Sequence, residues 1–99
     1  MFTIDIYIEI YILQYEKKIV LTAHAKIKIL ERSIDLILCE RTVSEPDFTK
    51  SDKFDSSIIH YVKKVEGKYL RVLARSEKNK KIIITAFFDR RIKKEIKND

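Results

Sequence analysis

The 99-residue chain has no tryptophan, and glycine, proline, cysteine and methionine occur once each. A single cysteine, Cys39, excludes an intrachain disulfide, and with only two histidines beside it no zinc-ligand spacing can be drawn. Cys39 closes the apolar run from Ile34, which reads it as a small core residue rather than a reactive thiol. A single glycine, Gly67, excludes the glycine-rich loops of P-loop and dinucleotide-binding proteins. So few glycines and prolines imply long elements joined by polar turns. No apolar run reaches the roughly 18 residues of a membrane span. The amino terminus alternates polar and apolar residues, unlike a signal peptide. The expectation is a cytoplasmic protein with no membrane partner, no metal and no cofactor.

What is present is apolar residues at 45%, spread along the whole chain, so one folded domain over residues 1–99 is expected. Charged residues reach 36%. Plentiful Lys, Arg, Glu and Ile with little Gln, Met and Cys is a thermophile's composition. The charge is unevenly placed. Residues 1–59 hold 8 Lys/Arg and 10 Asp/Glu, a net of −2, whereas residues 60–99 hold 13 and 5, a net of +8. A basic back half suits a polyanion, and a solvated lysine-rich surface would show the same excess.

Hydrophobic period gives the fold class. Residues 3–12 place Ile4, Ile6, Ile8, Ile10 and Ile12 on one face, the pattern of a half-buried strand. A turn through Glu16, Lys17 and Lys18 leads to a short strand over Ile19–Leu21, a hairpin partner. Thr22 reads as a helix N-cap, after which Ala23, Ile27, Leu30 and Ile34 recur at helical spacing. Ser33 could cap a second helix, roughly Ile34 to Arg41, ended by Glu45-Pro46-Asp47. Residues 47–57 read as a loop anchored by Phe48 and Phe54. Strands follow at about Ile58–Val65, Tyr69–Ser76 and Ile82–Phe88, with short turns that imply an antiparallel meander. The class is α+β: an amino-terminal hairpin, two helices, then a three-stranded meander, with residues 1–16 as an extra strand and 89–99 as a basic tail.

Chemistry has few places to sit, and no Ser-His-acid arrangement stands out. His24 lies at the start of the first helix, where backbone N–H groups can help hold a phosphate and a neutral imidazole can act as a base. Lys28 lies four residues on, over the same face. Spacing alone favours an ordinary surface or packing histidine. Tyr69, Arg71, Leu73 and Arg75 share one face of their strand. Two arginines beside a tyrosine suit phosphate and base contacts, and suit a solvated face equally. Thr85 interrupts an apolar strand, as a satisfied β-branched residue or as a hydroxyl offered to a site. His60 shares its face with Ile58 and Val62, which reads as packing at the core's edge.

Thr22-Ala23-His24-Ala25, Lys28-Ile29 and Glu31-Arg32-Ser33-Ile34 resemble a family of small domains of unknown function. In that family a His-Ala pair leads a helix, a basic residue follows at +4, and Glu-Arg-Gly-Ile closes it. Glu45-Pro46-Asp47, the strand Ile82 to Phe87 with its Thr85, and the basic stretch Arg90 to Lys94 fit the same order. The resemblance covers about residues 19–94. Ser33 departs from the usual glycine, and residues 1–16 precede the usual start. The family is grouped with the barnase–EndoU–colicin–RelE fold, whose members include RelE-like, metal-independent ribonuclease toxins.

The resemblance implies RNA cleavage by attack of a ribose 2′-hydroxyl on its own phosphate. It gives His24 the acid/base role, with Lys28 and Arg71 stabilising phosphate charge and Thr85 orienting the scissile group. Arg32, Tyr69, Arg75, Arg90 and Arg91 are the expected RNA contacts. Arg32 has a structural alternative, pairing with Glu31 or Asp35. The implied partners are RNA, free or on the ribosome, and a small acidic antitoxin protein, and a homodimer is compatible. Two rivals stand beside this reading: a non-catalytic RNA-binding module of the same fold, and a domain whose target is another protein.

Overall fold

The structure, a computed structural model, describes residues 7–11 and 18–92. The ends of the first expected strand, the turn residues Glu16 and Lys17, and the tail beyond Ile92 lie outside the described residues. Eight elements run in the order β1 (Tyr7–Tyr11), β2 (Lys18–Thr22), α1 (Ala23–Glu31), α2 (Leu36–Ser44), β3 (Phe48–Ser51), β4 (Ile58–Val65), β5 (Lys68–Glu77) and β6 (Lys80–Phe88). The class is α+β. Among the described residues no helix is long and apolar enough to cross a membrane.

All six strands form one sheet in the order β1-β2-β6-β5-β4-β3. β1 and β2 form an antiparallel hairpin. β4, β5 and β6 pair antiparallel in succession. The two sets meet through a parallel pairing of β2 with β6, in which Val20 faces Ile82 and Leu21 faces Ile83. The segment expected as a loop contains a further strand. β3 pairs antiparallel with β4, Phe48 opposite Val62 and Lys50 opposite His60. Its four residues are half-buried or exposed, so hydrophobic period could not mark it, and the pairing comes from β4's uncovered edge.

Both helices cover one face of the sheet. Ala25 and Ile29 of α1 and Cys39 and Val43 of α2 pack on Leu21, Leu70, Val72, Ala74, Ile83 and Ala86. Cys39 is fully buried, and burial, with the nearby Asp35 charge, pushes its thiol up to about 12. It is packing material, not a nucleophile. The alternating β5 residues Tyr69, Arg71, Leu73 and Arg75 fall on the opposite face.

A bulge explains the nearly unbroken apolar run of β6. Leu73 pairs with Thr85 and Ala74 with Ile83, so Ile84 is the extra residue. It lets Ile83 and Ala86, three positions apart, both face the helices. The same extra residue turns Thr85 to the other face, beside Leu73.

The helix boundaries follow local chemistry. Thr22 caps α1, its hydroxyl accepting from the Ala25 N–H at 3.0 Å. The cap of α2 is Asp35, not Ser33, and its carboxylate accepts from the Ile37 N–H at 2.8 Å. The helix therefore starts at Leu36 and runs on to Ser44. Ser33 instead closes α1. It adopts φ 53, and the Ile34 N–H reaches back to the Ile29 carbonyl at 3.0 Å. This left-handed backbone is one that glycine would adopt without a Cβ penalty. Ser33→Gly should raise unfolding free energy by about 0.5–1 kcal/mol in a urea titration, with an unchanged m value.

Candidate functional site

The pairing of β2 with β6 stops at Leu21–Ile83, because Thr22 leaves the sheet to cap α1. From Ile84 onward β6 has no β2 partner on that edge. α1 packs along β6, and Arg32, just past the end of the helix, reaches Ala86. His24, Lys28 and Arg32 lie four apart, so they form one ridge that drifts by about 40° per step. The drift carries the ridge from solvent toward the sheet. His24 is exposed, and the Lys28 side chain is 32% exposed and reaches Glu31 at 3.3 Å. The Arg32 guanidinium donates to the Ala86 carbonyl at 2.8 Å and to the Thr85 hydroxyl at 3.4 Å. It also lies 5.9 Å from the Phe87 ring centroid.

The structure therefore brings Arg32 to Thr85, with Lys28 one helical turn before them and His24 two turns before. Arg32 is not paired with Glu31 or Asp35; its partners sit on β6. Arg71 shares Thr85's face, since it stands opposite Phe87, but it is not a surface cation. Its side chain is 5% exposed, and its Nε lies 3.0 Å from an oxygen of Asp89, also 5% exposed. Asp89 lies just past the end of β6, held by its N–H to the Tyr69 carbonyl at 2.9 Å.

Beyond Arg71 lies a feature that sequence reasoning missed. The Arg71 guanidinium approaches His60 Nδ1 at 2.6 Å, and His60 Nε2 lies 2.7 Å from Asp52 Oδ1. Arginine can only donate, so Nδ1 must accept. The ring is thus the neutral tautomer whose Nε2–H donates to Asp52. A chain Asp89–Arg71–His60–Asp52 links the end of β6 to the residue after β3. The His60 bond, followed by the Phe54 amide, holds the Asp52 carboxyl below its ordinary value. The sequence offered no signal for it, because Asp52 sits eight residues before His60 in a polar stretch and Asp89 in a charged one.

The expected RNA contacts spread over the same face and its end. Arg75 is half-buried, its Nε 3.8 Å from Glu77. Tyr69 carries the Lys64 ammonium 5.8 Å from its ring centroid, and Phe88 carries that of Lys68 at 5.7 Å. Tyr69, Phe88 and Arg90, with Gly67, Lys68 and Asp89, line a groove of about 550 Å³ at this end of the sheet. The Arg91 side chain is 85% exposed, with its Nε 3.6 Å from Asp89. Among the described residues no three His, Cys, Asp or Glu side chains gather in a way that could hold a metal ion.

Two measurements check this account. Arg71→Met removes the buried partner of Asp89 and leaves it only the exposed Arg91, and should cost about 3 kcal/mol in equilibrium unfolding. Asp52 has a depressed folded pKa, so its contribution is present above the ordinary value of 3.8 and is lost as pH falls through the lower folded value. Asp52→Asn should accordingly lose less stability than the wild type when unfolding is followed downward from pH 4.

The chain matches no family model, and neither the curated proteins nor the solved structures contain a significant match to it.

Proposed function

We propose that this protein binds RNA and cleaves it without a metal, as a toxin-type ribonuclease working where α1 lies along the uncovered edge of β6. The observation that carries the reading is the ridge His24–Lys28–Arg32, which ends on Thr85. It aligns a base, two cations and a hydroxyl along one edge, and it uses the residues on which the family resemblance rests. His24 takes the proton of the ribose 2′-hydroxyl as that oxygen bonds to the adjacent phosphorus, and Lys28 and Arg32 neutralise the phosphorane. The P–O5′ bond then breaks, the 5′-oxygen takes a proton from water, and a 2′,3′-cyclic phosphate is left. Thr85, bonded to Arg32, fixes the direction from which that guanidinium approaches. Arg71 is assigned a positioning role, since its charge is already matched by Asp89. The back half's net charge of +8 supplies the polyanion surface. A small acidic antitoxin would cover this basic surface.

One observation favours a second reading, a non-catalytic RNA-binding module. His24 is exposed and has no hydrogen-bond partner among the described residues, whereas His60 is held at both ring nitrogens. A catalytic base is commonly oriented by a second group.

One experiment separates the readings. Purified protein and His24→Ala are incubated with a fluorescent RNA in EDTA, with anisotropy read alongside the cleavage products. Salt-sensitive binding by both proteins, with cleavage at least a hundredfold slower in His24→Ala, is the expected result. Equal cleavage by the two removes His24 from the mechanism. Binding without cleavage by either establishes the module.

A further inference from the structure

Phe54 is 95% exposed, the most exposed of the large apolar side chains described. It is not exposed because its loop is slack. Asp52 Oδ2 accepts the N–H groups of Phe54 and Asp55, both at 3.0 Å, and Asp52 Oδ1 takes the bond from His60 at 2.7 Å. Asp55 accepts from the Ser57 amide at 2.9 Å and from its hydroxyl at 2.6 Å. The loop's ends are tied by Asp52 N–H to Ile58 carbonyl and by Ile58 N–H to Asp55 carbonyl, each at 3.0 Å. The backbone is thus fixed around a phenyl ring that faces water.

The position of the loop suggests what the ring meets. It joins β3 to β4 just before Ile58, which stands opposite Arg75. Ile58, Leu73 and Arg75 are half-exposed on the face that carries Thr85, and β6 and β3 are three strand spacings apart, about 14 Å. The loop's two carboxylates accept bonds from within the loop and from His60. Lys53 beside the ring is exposed. An aromatic ring, a lysine and a half-apolar strip leading to a cationic ridge suit an unpaired base with its phosphates.

From this arrangement we infer that Phe54 is a stacking platform for one unpaired base of a single-stranded RNA that crosses the sheet face toward Thr85. The inference rests on the proposed RNA binding and names its substrate as single-stranded. The network Asp52–His60–Arg71 ties the platform to the sheet, so the ring is presented at a fixed distance from the ridge.

The chain lacks tryptophan, so Phe54→Trp places its single tryptophan at the tip, excited at wavelengths its tyrosines do not absorb. The probe is a 2′-O-methyl adenine 12-mer, which cannot undergo 2′-hydroxyl attack, with inorganic polyphosphate as a polyanion that has no bases. Expected results are quenching of Phe54→Trp emission by the 12-mer and not by polyphosphate, about tenfold or more weaker 12-mer binding by Phe54→Ala, and unchanged polyphosphate binding. Wild-type affinity in Phe54→Ala, or unquenched emission with the 12-mer bound, overturns the platform and leaves RNA binding standing. Unchanged 12-mer affinity with loss of a concentration-dependent oligomer in Phe54→Ala would overturn it in favour of protein docking. Failure of every form to bind the 12-mer overturns the RNA reading together with the platform.

Discussion

Arg71 is 4% exposed near the middle of the sheet, and its guanidinium cannot shed its proton. A lone charge there would cost several kcal/mol, so the chain must supply acceptors around it. It does so from both directions. Asp89, just past the end of β6, brings a carboxylate to Nε, and His60 on β4 brings a ring nitrogen to the other side of the fork. His60 can accept only while its second nitrogen donates, and Asp52 takes that proton. Asp52 in turn shapes the loop between β3 and β4. One buried cation is thereby joined to the residue after β6 and, through the half-buried His60 ring whose tautomer it selects, to the residue after β3.

The two histidines differ in how firmly the fold holds them. His24, at a helix start among the residues of a recognisable pattern, is solvated. His60, among aliphatic strand neighbours, is locked into a polar network. Hydrogen-bond partners, not the character of adjacent residues, set what an imidazole can do. The partners of His60 come from positions 52 and 71, which are near it only once β4 has paired with β5.

Legibility followed periodicity. The alternating β5 residues and the Thr22 cap could be read directly, because local geometry dictates them. The spacing of Ala23, Ile27, Leu30 and Ile34 marked a helix but not its buried face: Ile27 and Leu30 are 54% and 68% exposed, and Ala25 and Ile29 are the α1 residues that pack on the sheet. β3 could not, since its burial is too slight to pattern a four-residue strand. The start of α2 was misplaced by two residues. Ser33 and Asp35 are both good caps, and only the left-handed backbone at Ser33 decides between them. The parallel pairing of β2 with β6 and the bulge at Ile84 depend on contacts distant in sequence, and neither leaves a local mark. For the site, the ridge on α1 was visible as a spacing, whereas the docking of Arg32 on Thr85 and the burial of Arg71 were not.

The pairing of β2 with β6 also bears on synthesis. Val20 finds its neighbour Ile82 only after both helices and β3, β4 and β5 have been made. Until then the amino-terminal hairpin has an unfilled edge, and α1 has no Thr85 to dock against. Translation thus completes the proposed working edge only after the other described strands of the sheet have been made. Until β6 is made, a nascent chain carries the cations of α1 with no organised edge beside them.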